Sequence, residues 1–337
     1  MQVVRPVEYG DLDQLVALGE LSAPGPGGAH CMPVGRVALE QAVAASLSAF
    51  DTNVTEAGDQ TYWFVLADSD GGKIAGCASL TALAGARATY FAFRRDVLRQ
   101  ASVDLSMSHD MPALTMGSDL SRHSHLGACY VRPGTAAEAV SLLARARLLY
   151  AASAPHRFGG HFFATLPGYS DGPRVPFWDA VGAHFFGMPI AQADALLGAT
   201  RNHPAMVEMM PHYPIYLDLL PADAQEALGR CQPAAASVRD ALMHEGFEGG
   251  RYAGLLDGGA LLHARREQLR SFGAERRDVG AIAAAAGSAS HIVASGRGAG
   301  FRALLAGPGD RPCASLNAQH KRALALDSGE QVVCLEL

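Results

Sequence analysis

The stretch "SRHSHLGACYVRPGTAAEAVSLLARAR", Ser121–Arg147, decides how the rest of the chain is read. Leu126–Val131 has the apolar character of a central strand, with His125 just ahead of it. Arg132-Pro133-Gly134 breaks the strand, and the run that follows predicts a helix through Ala152. A strand that hands over directly to a helix N-terminus offers an anion site, because the first-turn N–H groups have no partner inside the helix. The entry loop is poor in glycine, however: Gly134 stands alone in "GTAAEA". Side chains there restrict positive-φ turns and the close approach of a phosphate. Glu138 near the helix start opposes an anion, and Arg132 partly offsets it.

Outward from this segment the pattern alternates. Gln2–Val4 predicts a short strand, and Asp11 is placed to cap a helix with Leu12, Leu15, Val16 and Leu18 at helical spacing. Residues 22–35 are a Gly/Pro-rich loop, and 37–50 predict a second helix. Two apolar strands flank Asp68-Ser69-Asp70-Gly71-Gly72, a hairpin turn. Residues 90–120 carry strand-like runs. Beyond the opening segment come another strand, a helix from Phe177, a stretch over 202–220 broken by Pro211 and Pro214, and a helix ending at Gly246. From about Ala260 the chain turns to short β-like runs: "HIVAS", "FRALLAG" and "QVVCLEL". This predicts an α+β fold with one layer of sheet covered by helices. The expected division is a mixed domain over 1–258 and a small β-rich module over 259–337. "SGRGAGF" (295–301) has GxGxG spacing but opens no helix after a strand, so it reads as a hairpin turn and not a dinucleotide site.

The chain has 337 residues, a net charge of −6 and six cysteines. A mildly acidic balance argues weakly against nonspecific nucleic-acid binding. Glu8, Asp11 and Asp13 fall where a signal peptide needs an apolar core, and no apolar run approaches the ~20 residues of a membrane span. The cysteines are scattered without a CxxC pair, which disfavours zinc and redox motifs and suits buried thiols in a reducing cytoplasm. No metal and no permanently bound cofactor are expected.

The order of elements resembles the acyl-CoA N-acyltransferase (GNAT) fold. More specifically, "VVRPVEYGDLDQLVALG", "VPFWDAVGAHFF", "EMMPHYPIY", "RDALMHEGF" and "LLDGGALLHAR" resemble, in the same order, segments of the arginine N-succinyltransferase family, closest to its alpha-type subunits. The resemblance spans nearly the whole chain. It implies a GNAT-like mixed sheet flanked by helices, and transfer of succinyl from succinyl-CoA to the α-amine of arginine or ornithine. Three departures stand out. Where catalytic members carry His-Pro, with the histidine as proton donor, this chain has Gln232-Pro233; an amide orients but does not exchange protons near neutral pH. The helix entry lacks glycines, and Gly254 stands where the family has an acidic residue.

The chemistry then needs a base for the amine, donors for the thioester oxygen and a seat for the carrier. His125 is the candidate base, since an unperturbed histidine titrates near 6.5; the alternative is an exposed loop histidine, with His123 as substitute. The resemblance assigns Leu126, Cys129, Tyr130, Val131 and Arg132 to the donor. Cys129 itself reads as a buried strand thiol, since direct transfer needs no covalent step. Glu208 and His212 are expected at the acceptor, Tyr216 is the candidate proton donor to the leaving thiolate, and Gln232 is positional. Two rival readings remain. One has a different donor carrier, such as an aminoacyl-tRNA. The other is a non-catalytic alpha-type subunit of a heteromer. Homo- or hetero-oligomers fit either case, and no membrane partner is expected.

Overall fold

The computed structural model describes residues 1–21, 32–33, 35–70, 72–197, 204–278, 291–306, 316, 318–327 and 330–337. The strands are β1 (Gln2–Pro6), β2 (Thr61–Asp68), β3 (Ile74–Thr81), β4 (Ala92–Ser102), β5 (Met107–Gly117), β6 (Ser124–Val131), β7 (His161–Thr165), β8 (Ile215–Tyr216), β9 (Glu248–Ala253), β10 (Ala260–Arg265), β11 (Glu275–Asp278), β12 (His291–Ser295), β13 (Arg302–Ala306) and β14 (Gln331–Glu336). They form one sheet in the order β11-β14-β12-β13-β1-β2-β3-β6-β7-β10-β9-β4-β5-β8. The helices are α1 (Leu12–Leu21), α2 (Arg36–Asp51), α3 (Ala137–Ser153), α4 (Pro176–Ala180), α5 (Gly182–Phe186), α6 (Ile190–Leu197), α7 (Pro204–Met209), α8 (Ala222–Ala227), α9 (Ala236–Glu245) and α10 (Ala318–Ala323).

The expected strands, hairpin and helices therefore stand, with three corrections. Asp11 is not the residue that heads its helix: it sits at the end of a short turn and reaches back to the Glu8 N–H at 2.8 Å, while its two oxygens take the Arg5 guanidinium at 2.7 Å each. His125 lies inside β6 and not ahead of it. The division at 258/259 does not separate two sheets. Strand β10 sits between β7 and β9, and the later strands extend the same sheet through β13 beside β1. "SGRGAGF" does turn between two antiparallel strands, β12 and β13. The alanine-rich run 281–290, Cys31 and Cys313 lie outside the described residues.

All strand pairs but one are antiparallel; the exception among the described residues is β6 with β7. A parallel pair needs a crossover, and α3 supplies it. Almost every residue of α3 from Ala139 to Ala151 is buried, because the sheet lies on one side and α9 and the C-terminal strands on others. Such a helix has no solvent face to spend on polar residues. It nonetheless buries two arginines. Arg145 Nε donates to Glu245 Oε2 at 2.8 Å and Nη2 to the Glu336 carbonyl, which ties α3, α9 and β14 together. Glu245 also accepts the Ser271 N–H. Arg147 Nη1 donates to the Ser79 carbonyl at 2.9 Å and reaches the Gly127 and Ala128 carbonyls at 3.4 Å.

Those carbonyls mark a β-bulge. Between β3 and β6 the register passes from Ala78↔Cys129 to Leu80↔Leu126, so β6 carries one extra residue at Gly127–Ala128. A bulge bends its strand and shifts its side-chain alternation. Leu126 packs beneath α3 and Ala128 against the α1/α2 side, and Cys129 and Val131 return to the α3 face. Gly127 is required here: a Cβ would come within 2.6 Å of Ser79 Oγ.

Candidate functional site

The register between β6 and β7 runs Ser124↔Phe162, His125↔Phe163, Leu126↔Ala164 and ends, five residues before β6 does. The bulge turns β6 away from β7 at that point, and a cleft of about 650 Å³ opens between them. One wall is Cys129–Thr135, running from β6 into the turn before α3. Thr165 and the loop that follows β7 make the opposite wall, with Gln232 and the start of α9 beside it. Leu18 and Leu21 close one end.

The carrier end of the cleft is the entry to α3. Gly134 adopts φ +82°, the left-handed region its missing Cβ permits. Thr135 donates both its N–H and its hydroxyl to the Arg132 carbonyl, tightening the turn. Ala136 heads the 17-residue helix with no side-chain cap; its carbonyl takes the Ala139 and Val140 N–H groups, and those of Ala137 and Glu138 face the helix entry for solvent or an anion. Arg132 Nε donates to the Ile74 carbonyl at 2.8 Å, which fixes its guanidinium at the cleft wall. Glu138 is exposed and does not line the cleft.

The loop opposite is pinned rather than slack. The buried carboxylate of Asp257 accepts the Gly168 N–H at 2.8 Å and the Gly259 N–H at 3.0 Å. A Cβ at Gly168 would strike the Asp257 carbonyl at 2.4 Å, so glycine is what allows this approach. Gln232 donates its N–H to the Pro167 carbonyl, and its side-chain amide donates to Ser170 Oγ at 2.5 Å. Gln232 thus stands at the cleft with its amide already oriented.

His125 stacks on Phe163 with ring centroids 4.4 Å apart and planes 12° apart, and its Nε2 lies 3.0 Å from Thr165 Oγ1. Burial, and then the nearby Arg147 cation, push its pKa down to about 3. The expectation that His125 takes the amine's proton does not fit this environment: an imidazole held neutral this firmly is a weak base at neutral pH. His123, the substitute, stacks on His161 and is also lowered by burial, reinforced by the neighbouring histidines.

Of the other expected residues, Cys129, Tyr130, Val131, Arg132 and Gln232 come together at the cleft. Leu126 does not: it is 1 % exposed in the core under α3, ahead of the bulge. Glu208, His212 and Tyr216 do not either. They line a separate, largely apolar hollow of about 550 Å³ beside β8, with β7, β10, β9, β4 and β5 intervening between β8 and β6. Pro211 and Pro214 break that segment into an irregular run on the sheet's outer edge, away from the cleft. Thr165, Ser170 and Asp257 were not singled out as site residues. Nothing local in the sequence announces the grip of the Asp257 carboxylate on a loop 89 residues earlier.

A mixed sheet whose parallel pair parts beside an uncapped helix N-terminus is the architecture of the GNAT class of acyltransferases. The profile of the "Arginine N-succinyltransferase beta subunit" family matches residues 2–271. The chain belongs to the arginine N-succinyltransferase family. It is 35 % identical to arginine N-succinyltransferase subunit alpha of Pseudomonas aeruginosa over 98 % of each chain, and 32 % identical to the subunit beta of the same organism over 80 % of this chain and 78 % of that one. The solved structure of arginine/ornithine succinyltransferase subunit AI from Pseudomonas aeruginosa superposes with a TM-score of 0.84 at 33 % identity, covering 100 % of this chain and 98 % of that one. No helix among the described residues is long and apolar enough to cross a membrane.

Proposed function

We propose that the protein transfers succinyl from succinyl-CoA to the α-amine of arginine or ornithine, by direct attack in the cleft beside β6. The observation that carries this is the parting of β6 from β7 next to the uncapped start of α3. The carrier's phosphates sit at the α3 N-terminus and Arg132, where helix dipole and guanidinium favour negative charge. The acyl carbonyl lies along the β6 edge, within reach of the Gln232 amide. With Gln232 in place of a titrating group, the sulfur leaves as a thiolate, which a thiol with an ordinary pKa of about 8–9 tolerates. The amine's proton passes to solvent in the open cleft.

Among the described residues lining the cleft, Arg132 is the single basic one. A polyanionic tRNA would need a basic stripe there, so an acyl-CoA donor fits better. The protein works together with a partner subunit. Val103 and Leu105 at the tip of the β4–β5 hairpin, and Tyr213 and Leu219 near β8, are 69–93 % exposed, the apolar surface expected where another chain docks.

The test incubates the purified chain with succinyl-CoA and arginine or ornithine and follows release of free thiol, alone and with a beta-type chain. Release that depends on the amine supports the reading. No release under either condition, with tRNA bound in preference to succinyl-CoA, would overturn it.

A further inference from the structure

We propose that Thr165 is the side chain that receives the acceptor amine, and that His125 is the positioning residue that aims its hydroxyl. This rests on the acyl-transfer reading above and names a role within that site.

Thr165 is the last residue of β7 and lies one step past the final β6–β7 pair, Leu126↔Ala164. It therefore stands at the vertex where the two strands part. Its backbone is held on the other side by pairing with Leu261 of β10. The side chain lines the donor cleft and also a small void of about 30 Å³ behind it, bordered by Tyr90, Gly254 and Asp257. A group at this vertex is reached from the same space as the β6 edge along which the acyl carbonyl would lie.

His125 gives that hydroxyl a fixed direction. Its Nε2 is 3.0 Å from Thr165 Oγ1. The imidazole is pressed flat on Phe163 at 4.4 Å and tilted against Tyr90 at 5.7 Å, so it has little room to swing. The ring stays neutral because burial and the Arg147 cation oppose its charging. In the tautomer with its proton on Nδ1, a neutral imidazole accepts at Nε2. The threonine hydroxyl then donates inward to the ring, and its oxygen lone pairs face the cleft. They hold one N–H of the incoming amine and leave the nitrogen lone pair directed along the β6 edge. Thr165 takes no proton and forms no bond to the acyl group; its contribution is orientation of the nucleophile.

The test compares Thr165→Val, which keeps the shape and removes the hydroxyl, with Thr165→Ser and His125→Phe. Steady-state kinetics are run with succinyl-CoA and arginine, and each variant is checked by thermal melting. Thr165→Val is expected to lower kcat/KM for the amine by roughly 10- to 100-fold, with KM for succinyl-CoA unchanged and a melting temperature close to that of the parent. Thr165→Ser is expected to recover most of the loss. His125→Phe is expected to lower the rate while keeping the shape of its pH profile, because the histidine does not titrate in the reaction. Wild-type turnover with undiminished Thr165→Val activity overturns this inference alone. So does an acid limb in the wild-type profile that His125→Phe abolishes, since that would make the histidine the base. Absence of wild-type turnover with any acyl-CoA overturns the acyl-transfer reading and this inference with it.

Discussion

The cleft beside β6 and the hollow beside β8 are similar in size, and residues of both were expected to build the site, yet they are made differently. The cleft is bordered by main chain: a bulged strand, an uncapped helix start and a loop pinned by Asp257. Its polar side chains are already tethered, Arg132 to the Ile74 carbonyl and Gln232 to Ser170. The hollow is bordered by side chains such as Met209, Met210 and Tyr213 from a proline-broken run, against a strand of two residues, Ile215–Tyr216. Chemistry needs groups held in place before the substrate arrives, whereas an apolar hollow on an outer edge suits association. Pre-organisation, and not concavity, is what sets the cleft apart from the hollow.

Gly127→Val puts a side chain into Ser79 and Arg147's carbonyl cluster at the bulge. Overpacking of this kind costs about 1–3 kcal/mol, and the displaced β6 edge is expected to lose roughly 100-fold in kcat/KM; denaturant melts and turnover measure both. Asp257→Asn weakens the charge-assisted bonds to Gly168 and Gly259, which should cost about 1.5–3 kcal/mol in urea unfolding and loosen the loop that carries Ser170. Arg132→Ala is expected to raise KM for succinyl-CoA by roughly tenfold, on the order of one charge-assisted bond, with kcat little changed.

His125 supplies a signal of a different kind, one that depends on pH. Its folded pKa is near 3 and its unfolded value near 6.5. The unfolded chain therefore binds one more proton between those values, so this contribution to stability is present in full above about pH 6.5 and is lost as pH falls toward 3. His125→Phe should remove that one-proton dependence from the stability–pH curve, as read by chemical denaturation across pH 4–7. The smallest effects are expected at the hollow: Glu208→Gln, at an exposed position, and Tyr216→Phe, at a half-buried one, should leave kcat/KM for both substrates within about twofold, as changes away from the cleft usually do. A loss there as large as at Arg132 would break the contrast and bring β8 into the active site.

The strand, turn and helix at the centre were legible because their signals are local: an apolar run, Arg132-Pro133-Gly134, and helical spacing after it. The bulge was not, since it exists only in the register between β3 and β6, and with it went the reason for a buried Arg147. The same limit hid Thr165, an ordinary strand residue until β6 leaves its neighbour. The boundary at 258/259 follows a change of composition near Ala260, while the sheet runs across it: β10 pairs with β7, about a hundred residues upstream. "EMMPHYPIY" identified the family well and its own location badly: a distinctive sequence says that a segment is shared, not which wall it forms. Gln232 went the other way. The resemblance marked its position, and the structure places it at the cleft wall with its amide on Ser170.

One feature of the sheet bears on how the molecule is made. Strand β1 lies between β2 and β13, so residues Val3 and Val4 find their partners Leu304 and Ala303 only after the roughly 300 residues between them have left the ribosome. Long-range pairings of this kind are entropically late and slow to form. Until then the N-terminal strand has one exposed edge, a template for pairing with other nascent chains. Production at low temperature, with a chaperone that shields strand edges, should therefore raise the soluble yield more than any change at the cleft.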